Sequence, residues 1–151
     1  MSALTVAIAS DHGGIELRKS IVHLLESLGI TYQEFGPETP ESVDYPELAF
    51  TVSEKVKSGE VDRGILICGT GVGMSIAANK VPGIRCALVG DTFTAHATRE
   101  HNDSNVIALG ARVIGPGLAS DIVKIWLHTE YEGGRHANRI DQIKAFEREH
   151  L

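Results

Sequence analysis

Cysteine is scarce in this chain, positive charge does not dominate it, and no long apolar run crosses it. Only two cysteines, Cys68 and Cys86, occur in 151 residues. Two thiols cannot build a disulfide framework, and they fit a reducing, intracellular setting. Fourteen lysines and arginines against twenty acidic residues leave a net charge of −6. That balance argues against nonspecific nucleic-acid binding, which needs a basic face. A small anionic ligand is still allowed, because a local group of arginines can outweigh the total. No apolar stretch approaches the ~20 residues of a membrane span. The start, Met-Ser-Ala-Leu-Thr-Val, carries no basic segment, so no secretory signal is expected and a cytoplasmic location is. Internal repeats and low-complexity segments are missing too. The apolar fraction of 42% and charged fraction of 23% are ordinary for a soluble protein. A single domain, residues 1–151, is expected, burying about two thirds of its unfolded surface.

What the chain does have is one dense stretch, Gly64-Ile-Leu-Ile-Cys-Gly-Thr-Gly-Val-Gly-Met-Ser-Ile-Ala-Ala-Asn79. Ile65 to Ile67 is the apolar run of a buried strand. Cys68 and three alternate glycines, Gly69, Gly71 and Gly73, follow, and Met74 to Ala78 continue as a helix. Glycines allow backbone angles that other residues avoid, and let several N–H groups converge on one point. The helix adds free N–H groups and the positive end of its dipole. Strand, glycine loop and helix in this order favour an anion, with a thiol at its lip.

Strand and helix patterns alternate around this stretch. Leu4–Ala9, Thr31–Phe35, the run ending at Cys68, Ile84–Val89 and Asn105–Leu109 read as strands. Residues 15–28 carry Leu17, Ile21, Leu24, Leu25 and Leu28 at helical spacing, and Gly29 reads as the stop. Tyr45-Pro46 opens a helix with Leu48, Val52 and Val56 on one face, ended by Gly59. Asp91 or Thr92 caps another that runs to about His101. Pro116 starts one with Leu118, Ile122, Ile125 and Trp126 inward. Glu132-Gly133-Gly134 breaks it, and residues 135–149 form a last helix with Ile140, Ile143 and Phe146 as its apolar stripe. Five alternations predict an α/β fold, a parallel sheet with helices on both faces. Ligands of such sheets bind beyond the carboxyl ends of the strands. Asp11-His12, Cys68–Gly73 and Gly110-Ala-Arg112 fall there. His101-Asn102 precedes the fifth strand and needs a chain reversal or a neighbouring subunit to join them.

The glycine loop does not match the better-known phosphate motifs. A dinucleotide fingerprint is G-x-G-x-x-G after the first strand, a P-loop needs Gly-Lys-Ser/Thr, and Met74 follows Gly73 here. A cysteine-phosphatase cradle wants an arginine at the place of Met74. A thiol beside a nest of N–H groups remains, which suits an oxyanion held while a base works nearby. Cys68 could equally be a core thiol, although the neighbouring helix start favours the thiolate. Cys86, mid-strand without such neighbours, reads as core. Asp11 could be no more than a helix cap, and His101-Asn102-Asp103 a polar helix exit. His23, His128 and His150 fall on exposed faces, and no histidine–acid pair has a convincing zinc spacing. Arg135, His136 and Arg139 share one face of the last helix. Two guanidiniums there suit a phosphate dianion, unless Asp141 or Glu132 pairs with them.

Taken together, several of these segments are familiar. They are Ser10-Asp11-His12-Gly13-Gly14, Asp44-Tyr45-Pro46, Ile67-Cys-Gly-Thr-Gly-Val-Gly73, Ala77-Ala-Asn-Lys80, His101-Asn-Asp103, Gly110-Ala-Arg-Val113 and Tyr131-Glu-Gly-Gly-Arg-His136. Nearly end to end, the chain resembles the sugar-phosphate isomerase family that holds the B-type ribose-5-phosphate isomerases and the galactose-6-phosphate isomerase subunits. The resemblance implies a Rossmann-like three-layer α/β/α sandwich with a five-stranded parallel sheet. It implies interconversion of ribose 5-phosphate and ribulose 5-phosphate, a step of the pentose phosphate pathway, through an enediolate. Cys68 would be the base, since part of the family uses a glutamate where this chain has Met74. His101 would open the furanose ring, and Asp11, with Thr70 nearby, would hold a sugar hydroxyl or the ring oxygen. The N–H groups of Gly69, Thr70, Gly71, Val72 and Gly73 would bind the enediolate oxygen. His12, Arg112, Arg135 and Arg139 would hold the phosphate, and Asn102 would contact the sugar. No cofactor and no metal are implied. A homodimer or a tetramer is, with sites shared between chains and the helix of residues 135–149 at the interface. A hexose 6-phosphate substrate (allose or galactose) and a non-catalytic sugar-phosphate-binding module are the alternatives.

Overall fold

The computed structural model describes residues 3–151. Its central strands are the uninterrupted apolar runs. β1 (Thr5–Ser10), β3 (Arg63–Cys68) and β5 (Val106–Gly110) are buried on both faces, as parallel strands covered by helices must be. β2 (Thr31–Phe35) and β4 (Cys86–Leu88) form the edges. The order is β2-β1-β3-β5-β4, with every neighbouring pair parallel. The expected α/β sandwich with a five-stranded parallel sheet is thus the observed architecture.

Side-chain size sorts the two faces. Ile8, Ile65, Ile67, Ile107 and Leu109 point toward α1 (Ile15–Ser27) and α5 (Pro116–His128), where Ile21, Leu25, Ile122 and Trp126 meet them. The alternate positions Ala7, Ala9, Leu66, Cys68 and Ala108 face α2 (Tyr45–Ser58) and α3 (Val72–Ala78). Small side chains let those helices approach closely. A Cβ on Gly64 would lie 2.6 Å from Val52 Cγ1. α4 (Thr92–Asn102) packs on α5, and α6 (Arg135–Glu149) rests on α4.

β1 leads leftward to β2 over one face, and β3 leads rightward to β4 over the other. The chain therefore reverses direction between β1 and β3, the switch point where α/β sheets open a crevice. Asp11 leaves β1 there, and the Cys68 loop leaves β3 beside it.

Some sequence expectations shift. β4 spans three residues rather than the expected 84–89, because Ile84 and Arg85 are spent on a turn and on side-chain bonds to the α4–β5 link. Leu118 faces outward at 38% exposed, since it falls in the first turn of α5, beyond the edge of the sheet. Ile125 is half-buried. Of the expected apolar stripe on α6 only Ile140 is covered, while Ile143 and Phe146 are 58% and 65% exposed. Cys86 is half-buried at the sheet edge rather than a full core residue, and desolvation pushes its thiol up to about 12. His23, His128 and His150 are exposed as expected.

Candidate active site

At the carboxyl end of the sheet the backbone places the chemistry. Asp11 is buried, and its Oδ1 accepts the Gly13 N–H at 2.9 Å, capping a short turn of 3-10 helix over residues 12–14. Its own N–H donates to Ile67 O at 3.1 Å, fixing it against β3. The cap expected from the sequence forms, and the same carboxylate stands at the mouth of the crevice. A Cβ added to Gly13 would lie 3.3 Å from Asp11 Oδ1 and 3.8 Å from Gly69 N, so the two loops touch.

Cys68 is 5% exposed, and its Sγ accepts the Gly71 N–H at 3.2 Å. That bond needs Gly71 in the left-handed region at φ 81°, where a Cβ would also strike Leu88 and the carbonyl of Leu109. The exposed Thr70 side chain folds back along the loop, its Oγ1 accepting the Val72 N–H at 3.2 Å. Arg112 closes the group. Its N–H donates to Gly69 O at 2.9 Å, and its side chain lies about 3.6 Å from where a Gly69 Cβ would stand. The Tyr45 ring covers Gly73 so closely that any side chain there would collide with it. A cleft of about 560 Å³ opens alongside, lined by His12, Gly13, Lys19, Glu38, Ala111 and Ile114. Asp11, His12, Cys68, Thr70, the Gly69–Gly73 loop and Arg112 are therefore brought together.

A buried arginine, unmarked in the sequence, supports this end. Arg18 is fully enclosed, with Nε on Glu34 at 2.9 Å, Nη1 on Ser10 Oγ at 2.8 Å and Nη2 on Pro37 O at 2.8 Å. Its charge is matched by a carboxylate and its donors by fixed acceptors, the condition for burying a guanidinium. Gly36, at φ 128°, has no room for a Cβ against Arg18 and Ser10. The loop 36–44 is thereby held over His12, whose Nδ1 accepts the Val43 N–H at 3.2 Å.

The other expected residues lie at the opposite end of the sheet. α4 runs back against the strands and delivers His101 and Asn102 beside the start of β5. Asn105 bonds next to Gly64 while Gly110 pairs with Cys68. At about 3.3 Å per residue, that is roughly 13 Å along the strand direction. Arg99, buried in α4, binds Thr129 O, Asp103 Oδ1 and Ser104 O, while Arg85 reaches Asn102 O and Asp103 O. Asp103 turns the chain at φ 46°, the one non-glycine residue with positive φ among the described residues. Crowding and the Arg99 charge lower the nearby Arg63 guanidinium to about 10. His101 stacks on His136, centroids 4.3 Å apart, and Glu132 Oε1 lies 3.6 Å from His136 Nε2. The ligand atoms of these three are mutually within 4.8 Å. Arg135 and Arg139 are exposed on the same helix. Among the described residues neither forms an ion pair, nor does Arg112, and Glu132 turns to His136 instead. One chain thus divides the expected site into two groups.

A cysteine, an anchored carboxylate and a glycine loop at the switch point of a parallel sheet define an α/β domain suited to a small anionic ligand. The chain belongs to the ribose/galactose isomerase family, whose model matches residues 6–143. A putative sugar phosphate isomerase of Bacillus subtilis, YwlF, is 62% identical over 149 residues, covering 98% of this chain and 100% of that one. Ribose-5-phosphate isomerase B of Escherichia coli is 48% identical over 94% of this chain and 95% of its own length. The structure is similar to that of Clostridium thermocellum ribose-5-phosphate isomerase B, with TM-score 0.96 and 51% identity, covering 98% and 100% of the two chains. It also matches ribose-5-phosphate isomerase B from Mycoplasma genitalium with bound ribulose-5-phosphate, with TM-score 0.93 and 42% identity over 99% of each chain.

Proposed function

We infer that this protein is an aldose–ketose isomerase that interconverts ribose 5-phosphate and ribulose 5-phosphate. The observation that carries the reading is Cys68 Sγ held against a loop amide, beside a buried carboxylate and an unpaired arginine. In the open-chain sugar, Cys68 takes the proton from carbon 2, and the electron pair moves to make the enediolate. The thiol, whose proton can exchange with solvent, then protonates carbon 1 while the O2 hydroxyl proton passes to O1, so the carbonyl shifts from carbon 1 to carbon 2 with no net redox change. Amides of the Gly69–Gly73 loop stabilise the charge that develops on oxygen. Asp11 and Thr70 orient the sugar hydroxyls, and Asn102 adds a contact. His101 moves the proton that opens the ring. His12, Arg112, Arg135 and Arg139 bind the phosphate, whose binding energy orients the reacting carbons.

The two groups of residues belong to one site when two copies pair, the His101 end of one facing the Cys68 end of the other. Three features support this: the division of the site, the lack of partners for Arg135 and Arg139, and exposed Phe93, Val113, Ile143 and Phe146. An isologous dimer would hold two such sites, in a cytoplasmic enzyme of pentose phosphate interconversion. A coupled assay with purified protein and ribose 5-phosphate tests the activity, and solvent deuterium should enter at carbon 2. Lack of turnover on any pentose or hexose phosphate would end the enzyme reading. Sharing is tested by co-refolding inactive Cys68→Ala and His101→Ala chains. A statistical mixture of dimers should recover about one quarter of wild-type activity, and none if each chain works alone.

A further inference from the structure

His136 is 4% exposed, and its Nε2 has no hydrogen-bond partner among the described residues. A buried imidazole nitrogen without a partner is costly. Glu132 Oε1 stands at 3.6 Å, beyond hydrogen-bond range. His101 completes the group from the end of α4. The backbone fixes all three. Glu132 N–H donates to Glu100 O at 3.0 Å, one residue before His101. Gly133 and Gly134, both at positive φ, turn the chain so that His136 N–H reaches Gly133 O at 3.1 Å. Arg99 Nε binds Thr129 O at 3.0 Å and ties the incoming loop to α4.

We propose that His101, Glu132 and His136 form a binding site for a divalent transition-metal ion, zinc above all, that silences the enzyme by occupying His101. Two imidazoles and a carboxylate select a borderline ion over magnesium or calcium, which prefer all-oxygen shells. Three protein ligands with a fourth position open is a common zinc arrangement. Ligand atoms around a tetrahedral zinc ion lie about 3.4 Å apart, given bonds near 2.0–2.1 Å. The Glu132–His136 separation already meets this; His101, stacked on His136 with its ring plane 19° away, must turn out of the stack to bring its lone pair to the same point. Arg135 and Arg139 on the same helix raise the local positive potential, so the affinity falls below that of a structural zinc site. The inhibitory half rests on His101 acting in ring opening; the binding half does not.

Cobalt(II), which reports its geometry by colour, is titrated into the chelator-treated full chain, and zinc binding is measured by calorimetry. One ion per chain, a tetrahedral visible spectrum and no near-ultraviolet thiolate band are expected. Glu132→Gln and His136→Gln should each weaken zinc at least ~10-fold, no less than the loss of an outer-shell partner. An octahedral spectrum, a thiolate band or unchanged affinity in both variants would overturn the site. Zinc should inhibit turnover reversibly, with chelator restoring it. Tetrahedral binding without inhibition would leave the site standing and overturn both its inhibitory role and the assignment of His101.

Discussion

At the carboxyl end of the sheet, main-chain geometry arranges the chemistry; at the amino end, side chains do. Gly71, Gly73 and Gly36 admit approaches that a Cβ would block, and the Cys68 thiol, the Asp11 carboxylate and the loop amides fall into place around them. At the other end Arg85 and Arg99 gather carbonyls and Asp103, and hold up a stack of histidines. The first end has a glycine loop of converging amides but no stacked histidines; the second has the stacked histidines and two exposed arginines but no glycine nest. The lesson is that one chain splits the expected site residues between the two ends, and that the division is a property of topology. A helix returning antiparallel to its strand must end where the next strand begins.

The largest expected effect is on the thiol. Cys68→Ala should lower kcat by at least ~10²-fold, the scale of a lost general base, while Cys86→Ala retains activity. Equal losses would erase the contrast between the two cysteines. Next comes the support beneath each end. Arg18→Ala leaves Ser10, Glu34 and Pro37 O unpaired, and should cost about 2–4 kcal/mol in urea unfolding. Arg99→Ala should cost somewhat less, because Asp103 keeps Arg85. If Arg18→Ala proved neutral, the loop over His12 would have to be held by other means. Arg135→Ala and Arg139→Ala should raise KM with little change in kcat, as expected for binding that is uniform along the reaction path. An unchanged KM in both would move the phosphate away from α6. The smallest effect concerns Asp91, which caps α4 through Thr94 N–H at 2.7 Å. The backbone and hydroxyl bonds of Thr94 hold its carboxyl below the usual carboxylate range. Its contribution is therefore present above the unfolded value and lost as pH falls through the lower folded one. Amide exchange at Thr94 should quicken relative to the rest of α4 over that acid window, and Asp91→Ala should abolish the difference.

Much of this was legible in the chain. The apolar runs ending at Ser10, Cys68 and Gly110 could only be buried parallel strands, and the polar residues after them had to meet at the switch point. The cap at Asp11 and the glycine loop follow from local chemistry alone. Other features depend on contacts that spacing does not encode. Arg18 lies between inward-facing Leu17 and Ile21, and nothing local says that its guanidinium is enclosed. Ile143 and Phe146 follow a helical stripe, but their cover is not in this chain's own core. Glu132 and His136 are four residues apart, a spacing that could have flagged the pair, yet His101 joins them only through the packing of α6 on α4.

The bond from Val43 N–H to His12 Nδ1 decides which face of that ring meets the solvent-filled cleft. With Nδ1 committed as an acceptor, a neutral imidazole must carry its hydrogen on Nε2. The neutral ring then presents its Nε2–H donor away from the loop. An oxyanion in the cleft would meet a hydrogen-bond donor on an uncharged ring, an orientation owed to a surface loop and to the hidden guanidinium that anchors it.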